Sequence, residues 1–295
     1  MEREERLKGC LLGTAVGDAL GLAREGLTAE RGRKMFGPLE KPDLLFGRGM
    51  VSDDTELTVL TLQSLQSADT PEACASDFAR RLRRWVLLIP PGVGLATARA
   101  GWRGVFGRRW DRMGVPSAGN GAAMRAAIFG AWFGNDPRRE AFVLANARVT
   151  HTDSRAIEAA IRVAAWAAGE PLPVEASIPN NSNGFAPTTM ATVAGCLAAH
   201  PRDLQAGVRT AIEAGGDTDT IAAIVGGILG ARLEPDAVPP DWITSVIEQP
   251  RSMNWMRDLA RGSAKEPIAP LLFVRNLFLL VVVLFHGFRR LLPPY

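Results

Sequence analysis

Histidine, cysteine and tyrosine are scarce in this sequence, which contains three His, three Cys and a single Tyr among 295 residues. Three widely separated cysteines do not make a disulfide framework, and they fit a reducing compartment. A zinc site of His and Cys ligands is nearly excluded, because so few of these ligands are present. The sequence also lacks a large excess of charge of either sign, since it contains 34 Lys and Arg and 31 Asp and Glu. We therefore expect no direct nucleic-acid binding, which normally needs a strong basic excess.

Regular alternation of apolar and polar residues, the pattern of a half-buried β-strand, is also rare. Ala- and Leu-rich segments of helical periodicity follow one another instead, separated by Pro and Gly. We predict one all-α domain over residues 1–295. The longest irregular stretch is 169–187, and a loop of this length in a compact domain is often functional. The predicted helices span 7–23, 55–66, 72–88, 121–133, 137–149, 155–168, 188–200, 206–214 and 220–233.

Two apolar segments invite comparison with targeting or membrane signals. Residues 10–23 follow an acidic stretch, which is wrong for a signal peptide, and contain Asp18. Residues 276–288 contain no Lys, Arg, Asp or Glu, but this run of 13 is shorter than the ~20 needed to cross a bilayer. We expect a buried terminal helix and no transmembrane span, although Arg289 and Arg290 leave a membrane-surface role open. We expect a soluble, cytoplasmic protein.

Two acidic clusters carry the chemical signal, SDDTE at residues 52–56 and GGDTDT at 215–220. Each opens a predicted helix, so simple N-capping is one explanation. Capping needs one oxygen, however, and additional carboxylates repel each other unless a cation lies between them. We therefore predict that the clusters are facing halves of one site. Carboxylates and hydroxyls are ligands that favour Mg²⁺ or Mn²⁺, and two such ions ~4 Å apart can orient a water for hydrolysis.

Four other features each have two interpretations. Asp18 lies in the Gly-rich segment 13–21, where it is either functional or a satisfied buried group beside closely packed helices. Glu25 follows that segment and is either exposed or directed into a cleft. The loop 117–121 is either a plain turn or, through free amides at a helix start, a cradle for a diphosphate. His151 is either a core histidine or a substrate contact.

Five ordered segments resemble the ADP-ribosylglycohydrolase family, also called ADP-ribosyl-acceptor hydrolases: GTAVGDALGLAREG, VSDDTELT, AGNGAAMRAA, ARVTHTDSRA and GGDTDTIAAIVGGILGA. The resemblance covers a core of residues 7–232 and leaves a C-terminal helical extension, 241–295, in which the sequence indicates no chemical role for residues 276–290. It implies a compact bundle of about a dozen helices with a two-metal site at helix N-termini, holding Mg²⁺ or Mn²⁺. It also implies hydrolysis that releases ADP-ribose from modified protein side chains or related conjugates.

The resemblance also implies a role for fourteen residues of this chain. The implied metal ligands are Ser52, Asp53, Asp54, Asp217, Asp219 and Thr220. The implied catalytic carboxylates are Glu25, Asp53 and Asp54. The implied substrate-binding residues are Gly92, Gly94, Ser117, Gly119, Asn120, Gly121 and His151.

Two departures from the family pattern bear on chemistry. Ser52 stands where Thr is common, and its hydroxyl preserves the ligand type. The segment at Gly92 lacks the Asp that the arginine-acting bacterial enzyme has there, which counts against arginine as the acceptor. Two other function classes stay open: a catalytically silent module that binds ADP-ribose or a nucleotide, and another Mg²⁺-dependent phosphohydrolase. Intact acids in both clusters favour a hydrolase over the silent module.

Overall fold

The structure, a computed structural model, describes residues 1–233 and 235–293. Over these residues the chain is all-α apart from one antiparallel pair of two-residue strands, β1 (Leu27–Thr28) and β2 (Gly215–Gly216). The prediction of an all-α fold is confirmed. The helices are α1 (Arg3–Gly21), α2 (Ala29–Phe36), α3 (Asp53–Gln66), α4 (Pro71–Val86), α5 (Leu95–Val105), α6 (Ala127–Phe133), α7 (Arg139–Arg148), α8 (Ser154–Ala167), α9 (Ala186–Ala199), α10 (Leu204–Glu213), α11 (Thr218–Arg232), α12 (Pro240–Ser245), α13 (Met253–Ala260) and α14 (Ala269–Arg289).

Helices α1 and α11 pack against each other at the centre of the molecule, and glycine makes this contact possible. A Cβ atom at Gly13 would lie 2.1 Å from the carbonyl oxygen of Gly226, and one at Gly17 would lie 2.2 Å from that of Ala222. Any side chain at these positions would force the helices apart. The close-packing interpretation of the Gly-rich segment is therefore correct.

The predicted helices correspond to observed ones, with one clear error at residues 121–133. There, Asn120–Ala122 forms a short 3₁₀ turn, and α6 begins only at Ala127. The error is physical in origin, because Ala-rich sequence favours a continuous helix, whereas the turn is held by tertiary contacts described below. Helices α2, α5, α12 and α13 were not predicted. They have between 6 and 11 residues, too few for apolar periodicity to stand out.

The C-terminal helix α14 differs from the expected buried helix. It has 21 residues and begins before residue 276, and by length and composition alone it could cross a membrane. Only one face is buried, by Leu272, Arg275, Asn276, Leu279, Val282 and His286. The prediction of a buried terminal helix is therefore wrong for the opposite face, which is apolar and exposed. Sequence hydrophobicity does not reveal which side of a helix finds a partner.

Candidate active site

The two acidic clusters meet at the N-termini of α3 and α11. Helix α3 begins immediately after Ser52, and α11 begins immediately after Asp217. The Thr220 hydroxyl donates a hydrogen bond to Asp54 Oδ2 at 3.3 Å, so one cluster contacts the other directly. This contact agrees with the prediction that the clusters are facing halves of one site.

N-capping accounts for a hydroxyl in this arrangement but not for the carboxylates. The Ser52 hydroxyl caps α3 by accepting from the Asp54 backbone N–H at 3.4 Å. Asp217 occupies the capping position of α11 yet forms no cap hydrogen bond. Its Oδ2 instead accepts from Asn120 Nδ2 at 2.6 Å. The carboxylates are therefore available for another task than helix capping.

Asp18, in α1, holds the first acidic cluster in position. Its carboxylate accepts from the Ser52 N–H at 2.9 Å, from the Thr55 N–H at 3.1 Å and from the Thr55 hydroxyl at 2.6 Å. These bonds hold the first turn of α3 against α1 and satisfy a side chain that is completely buried. Asp18 is thus the satisfied buried aspartate that the sequence left open, and it acts as a positioning residue.

The short strand pair brings Glu25 to the second cluster. The Gly26 N–H donates to the Gly216 carbonyl at 2.7 Å, directly after Glu25 and directly before Asp217. Gly216 has a φ of 85°, and a Cβ atom there would lie 2.1 Å from the Ser182 carbonyl oxygen. Only glycine fits this close approach. The result places Glu25, Asp217 and Asp219 with carboxylate oxygens within 4.8 Å of one another.

A second group of carboxylate oxygens, from Asp18, Asp54 and Asp219, also lies within 4.8 Å of one another. Burial, and then repulsion by neighbouring carboxylates, raises the pKa of Asp54 and Asp219 well above the usual value. The pKa of Asp53, at the same end of α3, is raised by the same causes. Without a bound cation such a cluster destabilises the folded protein, because buried like charges repel each other and are not solvated.

Two buried oxygens in this cluster, Asp54 Oδ1 and Asp219 Oδ1, have no hydrogen-bond partner. Buried polar atoms are almost always satisfied, so an unpartnered pair of carboxylate oxygens indicates a ligand. A divalent cation would neutralise the repulsion and supply that partner. Carboxylates with the adjoining hydroxyls of Ser52 and Thr220 form the hard oxygen set that suits Mg²⁺ or Mn²⁺. The residues present therefore fit a metal centre.

The metal-fitting cluster forms one wall of a cleft of about 590 Å³. All fourteen candidate residues border this cleft, although they come from six separate stretches of the chain. They are Glu25, Ser52, Asp53, Asp54, Gly92, Gly94, Ser117, Gly119, Asn120, Gly121, His151, Asp217, Asp219 and Thr220.

The loop 117–121 approaches the cluster through a side chain and offers fewer free amides than expected. The Gly119 N–H donates to the Ser117 hydroxyl at 3.2 Å, and the Asn120 N–H donates to the Gly184 carbonyl at 2.9 Å. The expected cradle of free amides at a helix start is therefore wrong for these two groups. Asn120 Nδ2 bonds both Asp217 and the Thr189 hydroxyl, which sets the position of the loop.

His151 lies beneath this loop as a neutral side chain. A Cβ atom at Gly121 would lie 3.0 Å from the imidazole ring. Burial, followed by the charge of Arg125, lowers the pKa of His151 to about 3. Arg125 is itself fully buried and bonds the Gly121 carbonyl and the Thr150 hydroxyl. His151 is thus a buried histidine that also borders the cleft, so both sequence interpretations apply to it.

Several parts of the cleft were not singled out from the sequence. The loop 181–184 covers one side, and the only signal was the length of the irregular stretch 169–187. Leu279 and Val283 of α14 form an apolar part of the lining. Arg290 lies close enough to Glu25 to lower the pKa of that carboxyl, while burial raises it by more. No sequence pattern connects these C-terminal residues to the site.

Comparison with known proteins places the chain in a class of all-α hydrolases. It belongs to the ADP-ribosylglycohydrolase family, whose model matches residues 1–170 and 162–270. Membership supports the hydrolysis of linkages to ADP-ribose; the family acts on ADP-ribosylated substrates and depends on metal. Nearly all of α14 lies beyond the matched residues.

Individual relatives agree with this assignment. The chain is 31% identical to an uncharacterised protein of Archaeoglobus fulgidus, over 83% of this chain and 93% of that protein. It is 28% identical to the ADP-ribosyl-[dinitrogen reductase] glycohydrolase of Rhodospirillum rubrum, over 82% of this chain and 90% of the relative. A solved structure, titled ADP-ribosylglycohydrolase-related protein complex, has a TM-score of 0.68 at 28% identity and covers 89% of this chain and 99% of its own.

Proposed function

We propose that this protein hydrolyses the glycosidic bond between ADP-ribose and an acceptor, either a modified protein side chain or a related conjugate. The observation that carries the proposal is the facing pair of carboxylate groups, with unpartnered oxygens on Asp54 and Asp219, at one wall of a 590 Å³ cleft. A cleft of this volume falls within the range of small-molecule sites, which suits a nucleotide-sized substrate.

The metal dependence of the family is assigned here to particular residues. Ser52, Asp53 and Asp54 on one side, with Asp217, Asp219 and Thr220 on the other, would hold two divalent cations, Mg²⁺ or Mn²⁺. Bound at this position, the ions would supply Lewis-acid polarisation of substrate oxygens.

Glu25 is the group we assign as general base. Among the described residues, none donates a hydrogen bond to the Glu25 carboxylate, which leaves it free to accept a proton from water. Asp54, in contrast, already accepts hydrogen bonds from Ser52 and Thr220. Burial and the charge of Asp217 raise the pKa of Glu25, which brings it closer to the range in which a base takes a proton from water near neutral pH. Asp53 and Asp54 are the alternative bases.

The remaining side chains position the substrate and stabilise charge. Glycoside hydrolysis passes through an oxocarbenium-like transition state, which nearby carboxylates stabilise. The loop of Ser117, Gly119, Asn120 and Gly121, together with His151, would bind the ribose and diphosphate. A neutral His151 can donate or accept a hydrogen bond there without adding a charge.

Release of ADP-ribose from arginine-linked and serine-linked peptides, with Mg²⁺, Mn²⁺ or EDTA, tests the proposal. We expect metal-dependent release from one linkage and its loss in Asp54→Asn. Asp69→Asn is the matched control, because Asp69 is exposed and outside the cleft. Tight metal-dependent binding of ADP-ribose without release from either peptide would favour the silent binding module. Hydrolysis of simple phosphate esters alone would favour a phosphohydrolase.

A further inference from the structure

Helix α14 exposes an apolar surface that nothing in the described chain covers. Val274, Leu277, Phe278, Val281, Phe285 and Phe288 are between 51% and 70% exposed, and we call them the outer face of α14. Soluble monomers rarely expose a contiguous apolar patch larger than a few hundred Å². A face built from six large side chains on one helix therefore indicates a contact surface.

The width of the apolar arc identifies the kind of contact. An ideal helix turns by about 100° per residue, so the exposed side chains of Phe273 and Leu271 bound an outer arc of about 160°. A second helix would cover a narrower stripe, because a coiled-coil seam uses only two positions in seven. A hydrocarbon layer covers the whole arc at once. Arc width therefore favours lipid over a second copy of the chain.

The distribution of charge also favours lipid over a second copy of the chain. Residues 267–295 contain no Asp or Glu, and Arg289 is exposed at the edge of the outer face. A second copy of this helix would offer Arg289 no acidic partner, whereas anionic lipid headgroups would offer one.

A loop beside α14 repeats this combination of apolar and basic residues. Its Leu44 carbonyl accepts a hydrogen bond from His286 of α14 at 2.5 Å. At the tip of the loop, the Phe46 side chain is fully exposed. Lys41 and Arg48, both exposed, flank it in sequence. Exposed aromatic rings with neighbouring cations are characteristic of membrane-interface contacts.

The contacts of the inner face favour a helix that stays on the protein over one that crosses a bilayer. Arg275 is buried and donates two hydrogen bonds to Glu248, at 2.7 and 2.8 Å. Asn276 donates to the Leu88 carbonyl at 3.0 Å. A spanning α14 would lose these bonds and leave Arg275 within hydrocarbon, which is costly.

We propose that the outer face of α14 docks the protein on the surface of an anionic lipid membrane, with the helix parallel to that surface. The inner face of the same helix contributes Leu279 and Val283 to the cleft. Docking therefore holds the cleft beside the membrane, and it requires no rearrangement of the fold.

Vesicle flotation with the full chain tests this proposal. We expect the wild type to float with vesicles of phosphatidylcholine containing about 30% phosphatidylserine, and to bind pure phosphatidylcholine less. Val281→Glu with Phe285→Glu should lower the bound fraction at least about tenfold, because it places two charges in the apolar face. Val174→Glu with Phe106→Glu is the matched control. It makes the same two changes at exposed side chains outside α14, which are 89% and 81% exposed, and it should float as the wild type does.

Three outcomes would overturn the proposal. The first is a wild type that does not float, and the second is flotation that the α14 pair leaves unchanged while circular dichroism shows an intact fold. The third is a stable lipid-free dimer, measured by light scattering, that the α14 pair dissociates. That result would assign the outer face to a second copy of the chain.

Discussion

The Thr220 hydroxyl donates a hydrogen bond to Asp54 Oδ2 across 3.3 Å, although 166 residues separate the two in sequence. The contact joins the first turn of α3 to the first turn of α11. It depends on the glycine-mediated packing of α11 against α1, since α1 also carries Asp18, which holds α3. Fold and site are therefore linked, because the same helix that packs most closely also positions the acidic cluster.

Asp219→Asn should separate metal binding from folding. Asp219 is buried, and one of its oxygens has no partner. Burial, and then repulsion by Glu25 and the neighbouring aspartates, raises its pKa well above the usual value, so its charge is unfavourable in the metal-free protein. We expect the metal-free variant to be at least as stable as the wild type, because removing a buried like charge relieves repulsion. Addition of Mn²⁺ should raise the thermal midpoint of the wild type but hardly that of the variant. Differential scanning fluorimetry with Asp69→Asn as control measures both effects, and an equal Mn²⁺ shift in all three proteins would contradict the ligand assignment.

The acidic cluster should contribute less to the stability of the metal-free protein as the pH rises. Burial raises the pKa of Asp18 from its usual 3.8 to about 6, and it also raises the pKa values of Asp54 and Asp219 well above that usual value. These carboxyls therefore bind more protons in the folded state than in the unfolded state, and their contribution to the free energy of unfolding declines as the pH increases above about 4. Saturating Mg²⁺ or Mn²⁺ should remove this decline, because the ions take the place of protons. Urea unfolding at several pH values, with EDTA and with metal, measures the difference. The same slope under both conditions would be the contrary result.

Much of the site could be predicted from the sequence because its signals are local. Each acidic cluster sits beside a helix start, and the family motifs supply the order in which they occur. The partner of a helix face is not local information, and so the sequence does not reveal that Leu279 and Val283 line the cleft or that Arg290 lies near Glu25. The same limitation explains α14, whose sequence shows its hydrophobicity but not that Arg275 turns inward to Glu248 and leaves the opposite face exposed.

His151 should remain neutral throughout the pH range in which the protein is folded. Its pKa is lowered to about 3, against about 6.5 for an unperturbed histidine, so the unfolded state gains a proton first as the pH falls. The wild type should therefore lose stability between about pH 6.5 and 3 relative to His151→Gln, which carries no titratable group. Parallel acid titrations followed by circular dichroism measure this. Greater acid sensitivity in His151→Gln would contradict the neutral assignment.

The glycine packing of α1 against α11 predicts that the same Gly→Ala substitution changes the free energy of unfolding in opposite directions at two positions. Gly13→Ala would put a Cβ atom 2.1 Å from the Gly226 carbonyl oxygen, so the helices must separate. We expect a loss of about 3 kcal/mol or more in the free energy of unfolding. Gly32→Ala, in α2, meets nothing within 4 Å, and it should leave stability unchanged or raise it by up to about 1 kcal/mol, because alanine favours helix. Urea denaturation of both variants decides the matter. Equal effects would mean that helix propensity, rather than the close approach of α1 to α11, accounts for the glycines.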